Sequence, residues 1–105
     1  MDDLVTWLRA QLDEDERVAR GVEGERWYFD FIEDGKREYE DRFGPARALA
    51  EVAAKRAIVD DYVMWDGWAE FPNETGGMAS GLETAVEYLA AVYSDRAGYR
   101  EEWRA

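Results

Sequence analysis

The chain has 105 residues, 47% hydrophobic and 14% aromatic, which is enough to bury one core and argues against a disordered chain. Its 25 acids against 13 bases give a formal charge of -12, which disfavours direct binding to a phosphate backbone. Cysteine and histidine are both absent, which removes disulfides, thiol chemistry, the usual zinc sites and histidine-based general bases or triads.

Residues 3–20 read as a first helix. Leu4, Leu8 and Leu12 recur at i+4, Val5 and Trp7 widen the stripe, and Asp2 or Asp3 can cap the free amides. Asp13 with Arg17 and Glu16 with Arg20 form acid-then-base pairs at i+4, and Gly21 is a plausible stop. The period then changes, because Trp27, Phe29 and Phe31 alternate with Tyr28, Asp30 and Ile32 ahead of Asp34-Gly35. That dipeptide favours a two-residue turn, so a β-hairpin of 26–33 and 36–41 is predicted, with the Trp27, Phe29 and Phe31 face packed on the helices.

Gly44-Pro45 opens a second helix with proline at its first position. Leu49, Val52, Val59, Tyr62, Val63 and Asp66 carry the helical pattern to residue 66, and Glu51 with Lys55 adds an i+4 pair. Residues 67–79, with three glycines and Pro72, read as a loop. Ser80 and Glu83 form a capping-box signature for a third helix, whose broad face carries Leu82, Val86, Leu89, Ala90 and Tyr93 and which ends near 95–98. Tyr99 and Trp103 dock a short final segment. The predicted fold class is therefore mainly α with a small β-hairpin: one compact three-helix domain spanning 1–105, the hairpin inserted between helices one and two.

Carboxylates are the only plentiful reactive groups. The densest run is Asp13-Glu14-Asp15-Glu16, but four consecutive helical residues point around the circumference and do not converge on a metal. Asp60, Asp61 and Asp66 sit near the end of helix two, where acids oppose the macrodipole unless something compensates them. Calcium-loop, phosphate-loop and dinucleotide spacings are absent. No catalytic, cofactor or metal residue is assigned and no cofactor is expected. The candidate interface is Tyr28, Ile32 and Tyr39 on the second hairpin face, with Asp13, Glu14 and Glu16 on helix one.

The combination of Asp2-Asp3-Leu4-Val5, Leu8-Arg9-Ala10 and Leu12-Asp13-Glu14-Asp15-Glu16 with Pro45-Ala46-Arg47-Ala48-Leu49, Glu51-Val52, Ala54-Lys55-Arg56 and Tyr99-Arg100-Glu101-Glu102-Trp103-Arg104 resembles the DUF6221 family. That resemblance implies a short uncharacterised protein of actinobacteria or their phages and implies no activity.

Three functions follow as expectations. The first is a non-enzymatic protein-interaction or accessory module, phage-encoded or cellular. The second is an acidic inhibitor that imitates nucleic acid and occupies a basic groove on a DNA-binding or defence protein. The third is a carboxylate–metal enzyme. The expected setting is cytoplasmic (the host cytoplasm if phage-encoded), because apolar stretches fall far short of the roughly 20 residues that cross a bilayer and the start lacks a secretory pattern. A protein partner is expected, with no direct nucleic-acid or membrane contact, the chain being a monomer or homodimer.

Overall fold

A computed structural model describes residues 2–23, 42–67 and 72–104. Among these residues lie the helices α1 (Asp2–Glu23), α2 (Pro45–Asp66) and α3 (Pro72–Ala91), followed by turns and a 3-10 turn at Glu101–Trp103. The fold class is corrected accordingly to three helices, since no strand occurs among the described residues. The predicted hairpin at 26–41, with Tyr28, Ile32 and Tyr39, lies outside those residues.

The leucine stripe of α1 sets the architecture. Leu4, Leu8 and Leu12 have no exposed surface, and Val5 and Ala19 continue the buried face. Leu4, Val5, Leu8 and Leu12 share one core with Val52, Val59 and Tyr62 of α2, and Val86, Ala90 and Tyr93 close it from α3 and the turn behind it. Each fully buried aliphatic side chain contributes about 1.5–3 kcal/mol of apolar transfer, so this stripe is what drives the helices together. Helix α2 is central, packing along both neighbours, while α1 and α3 touch over a short stretch.

Proline at the first position starts α2 as predicted, with Gly44 extended before it and the Ala48 amide donating to the Gly44 carbonyl at 2.9 Å. At the other end the Gly67 amide donates to the Val63 carbonyl at 3.2 Å. Helix α3 departs from expectation. It begins at Pro72, so 72–79 is helical where a loop was predicted, and Ser80 lies in mid-helix, where its carbonyl accepts from the Thr84 hydroxyl at 3.2 Å. Each interior glycine costs a helix only about 1 kcal/mol, and a helix already nucleated gains a hydrogen bond with every residue added. Gly76, Gly77 and Gly81 are therefore tolerated.

Gly81 has nothing within 4 Å of the place where a Cβ would sit. Gly81→Ala is expected to stabilise the protein by about 0.5–1 kcal/mol, read as a rise in the urea midpoint at unchanged slope. A lower midpoint would mean that this glycine serves a purpose other than helix tolerance.

Behind α3 the chain makes successive tight turns, with Tyr93 donating to Ala90 at 2.9 Å and Arg96 to Tyr93 at 2.9 Å. Gly98 adopts a φ of 92, and the tail returns to the start of α1. There Trp7, Tyr99 and Trp103 form a triangle with ring centroids 5.5 to 5.7 Å apart. The Trp7 indole donates to the Ala97 carbonyl at 3.0 Å, and Arg100 pairs with Asp3 at 3.2 Å. The docking of Tyr99 and Trp103 by a final helical turn agrees with the sequence reading.

Candidate functional site

A concavity of about 610 Å³ lies between the second half of α1 and the first half of α2. Val18, Val22, Ala48 and Val52 line its apolar side, together with Phe43 and Pro45. Val18 and Val22 stay 50% and 39% exposed despite being aliphatic.

Its polar end is a network that joins α1 and α2 to the turns behind α3. The Tyr93 hydroxyl donates to Asp15 Oδ2 at 2.7 Å and accepts from Lys55 Nζ at 3.0 Å. Arg96 donates to Asp15 Oδ1 at 2.9 Å and to Gln11 Oε1 at 3.3 Å, and its guanidinium lies 4.5 Å from the Tyr93 ring centre. Lys55 covers the same ring at 5.1 Å. Burial raises the pKa of the Tyr93 phenol, with Asp15 adding to the rise and Lys55 opposing it. The phenol keeps its proton near neutral pH and donates it to the Asp15 hydrogen bond.

The acidic run of α1 is dispersed as its helical spacing requires. Asp13 reaches Arg56 of α2 at 2.8 Å, Glu14 takes Arg17 at 2.6 Å, and Glu16 meets Arg20 at 3.2 Å and Arg56 at 3.4 Å. Of the predicted i+4 pairs only Glu16 with Arg20 forms. Arg17 turns to Glu14, Asp13 crosses to α2, and Glu51 takes Arg47 at 3.0 Å, leaving Lys55 for Tyr93. The hydrogen bond from Arg17, aided by its charge, holds the Glu14 carboxyl below the usual range. Asp13, Glu14 and Glu16 are thus engaged by arginines, while Tyr28, Ile32 and Tyr39 lie outside the described residues.

A second concavity, about 430 Å³, lies where the start of α1, the end of α2 and the middle of α3 meet, and is lined by Asp2, Asp3, Tyr62, Asp66 and Glu83. No cation lines it. Asp3 is met from outside by Arg100, whereas Asp2, Asp66 and Glu83 have no ion pair among the described residues. The sequence signal was the cluster of acids at the end of α2, which has no basic residue in its last turn. Asp60 is compensated by Arg9 at 2.9 Å; Asp66 is not.

Tyr62 is buried to 2% exposure at the base of this basin. Desolvation, followed by the charges of Asp66, Glu83, Asp2 and Glu87, pushes its phenol up to about 12. Between the ordinary value of 10.0 and that value, the folded chain keeps a proton that the unfolded chain loses. The contribution of Tyr62 to stability is therefore complete below about pH 10 and is lost as pH rises through about 12. Denaturant titrations across that window are expected to show stability falling with pH, with a shallower fall in Tyr62→Phe; equal slopes would place the effect elsewhere.

Among the described residues, no three Asp or Glu side chains are placed to hold one metal ion, and no helix is long and apolar enough to cross a membrane. No curated protein and no solved structure is significantly similar to the chain. One family model, described as a family of unknown function, matches residues 1–105, and the chain therefore belongs to the DUF6221 family.

Proposed function

We propose that the chain is a small interaction or accessory module that presents a surface to a protein partner of basic character and carries out no reaction of its own. The supporting observation is the groove between α1 and α2. In it the titratable groups that converge, Asp15, Tyr93, Lys55 and Arg96, bond to one another, while Val18 and Val22 beside them remain exposed. An apolar centre with a polar rim is the anatomy of a protein interface. The formal charge of -12 favours a positively charged partner and speeds its encounter. The setting that goes with this reading is the cytoplasm of an actinobacterium or of its phage-infected cell.

The test compares crosslinked partners recovered by the unaltered chain with those recovered by Val18→Glu/Val22→Glu. Both positions are exposed, so the variant should fold. Loss of a stoichiometric basic partner in the variant is the expected result. Recovery of the same partner at the same yield by both proteins would remove the groove from the interface.

The alternative of nucleic-acid mimicry receives support in one place only. Asp13, Glu14, Asp15 and Glu16 of α1 are each paired with an arginine, whereas no cation lines the basin around Tyr62. The carboxylate–metal reading has no cluster behind it among the described residues.

A further inference from the structure

Independently of the groove, we propose that the outer face of α3 packs antiparallel against the same face of a second copy of the chain, with Tyr88 and Val92 of each copy seated over Gly81 and Gly77 of the other. None of these four residues lines the groove. Helical spacing sets Gly77, Gly81, Thr84 and Tyr88 along one line, on the side of α3 away from the buried Val86 and Ala90, and Val92 follows directly after the helix. Tyr88 and Val92 are 64% and 66% exposed.

The pattern fits itself. Gly81 with Tyr88 and Gly77 with Val92 share one midpoint, between Thr84 and Ala85. A two-fold axis through that point, with the two helices antiparallel, sets every large side chain of the stripe against a glycine of the partner. Nothing lies within 4 Å of the place where a Cβ would stand on either glycine, so the space over both is open to receive a side chain. The missing Cβ also lets the two backbones approach closely. Beside the axis, the Thr84 hydroxyl already donates to the Ser80 carbonyl at 3.2 Å and can be covered without losing a partner.

Charge points the same way. A chain of formal charge -12 repels its own copy, and the repulsion is least where a face carries no acid. Glu83 lines the basin at Tyr62 and Glu87 is near enough to act on the Tyr62 phenol, so the two acids between Gly77 and Val92 lie off the outer face. A basic partner finds no counter-charge there. The stripe runs about 22 Å, and a contact one helix long falls at the small end of specific interfaces, which implies a weak, concentration-dependent dimer. The gain expected of Gly81→Ala belongs to the monomer and is measured below the dissociation constant of that dimer.

The experiment is sedimentation velocity of the full chain from about 5 to 500 μM, at low and at high salt. A monomer–dimer equilibrium is expected, tightening about threefold or more as salt screens the repulsion. Tyr88→Glu should be monomeric throughout, with unchanged far-ultraviolet circular dichroism because the position is exposed. Gly81→Tyr should weaken the dimer about tenfold or more, and Gly81→Tyr/Tyr88→Ala, which exchanges the large and small partners, should return it to within about threefold of the parent. Val18→Ser/Val22→Ser alters the groove alone and should leave the equilibrium within about twofold. A chain that is monomeric at every concentration, a dimer that tolerates Tyr88→Glu, a double exchange no tighter than Gly81→Tyr, or loss of the dimer in Val18→Ser/Val22→Ser would each overturn the proposal.

Discussion

Gly98→Ala is expected to cost about 3 kcal/mol and to lower Tm by about 15 °C. At a φ of +92 an L side chain is strained, and an added Cβ would lie 2.6 Å from Trp7 Nε1 and 3.0 Å from Trp7 Cδ1. The indole cannot yield freely, because it donates to the Ala97 carbonyl and packs on Tyr99 and Trp103. Moving it surrenders the hydrogen bond and part of the aromatic packing, each worth about 1 kcal/mol, in addition to the backbone strain. Thermal unfolding followed by tryptophan fluorescence reads both the stability and the displaced indole. Gly21→Ala is the control, since nothing lies within 4 Å of its added Cβ and the residue is helical. A Gly98→Ala protein within about 0.5 kcal/mol of the parent would show that the tail is not fastened at Trp7.

Leu8→Ala is expected to cost about 2–5 kcal/mol in denaturant unfolding. Leu8 is fully buried in the middle of the Leu4–Leu12 stripe, in the core cluster shared with α2, α3 and Tyr93, so truncation removes apolar contact and leaves a cavity that a close-packed core fills only in part. Leu8→Met conserves volume and should lose less than about 1.5 kcal/mol. The contrast separates packing from a general effect of mutating α1. Equal losses for the two variants would contradict the placement of Leu8 at the centre of the core.

The local features of the sequence were readable, and the long-range ones were not. The i+4 leucines and the Gly44-Pro45 start identified α1 and α2 because both signals act within one or two turns. Placing the start of α3 at Ser80 counts Gly67, Gly76, Gly77 and Pro72 as loop formers, whereas Pro72 is a legitimate first residue of a helix. Ion-pair partners were assigned from i+4 spacing alone. Asp13 instead pairs with Arg56 of α2 and Lys55 with Tyr93 in the turn behind α3, contacts that the packing of the elements brings within reach.

The same limit applies to the sites. Asp15 meets Arg96 across 81 positions and Trp7 approaches Gly98 across 91, and no local pattern encodes either contact. The acids at the end of α2 could be recognised as uncompensated from helix electrostatics. That they share a cavity with Asp2, Glu83 and a buried phenol depends on where α1 and α3 lie.

Surface presentation and chemistry make opposite demands on the groove. Partner affinity should therefore be measured by titration for the unaltered chain, for Val18→Glu/Val22→Glu and for Tyr93→Phe. The account expects the charged pair to abolish binding and Tyr93→Phe, whose phenol is 4% exposed, to leave it within about twofold. Retained binding in the charged pair together with its loss in Tyr93→Phe would contradict the account and make the Asp15–Tyr93–Lys55 network the working centre of the protein.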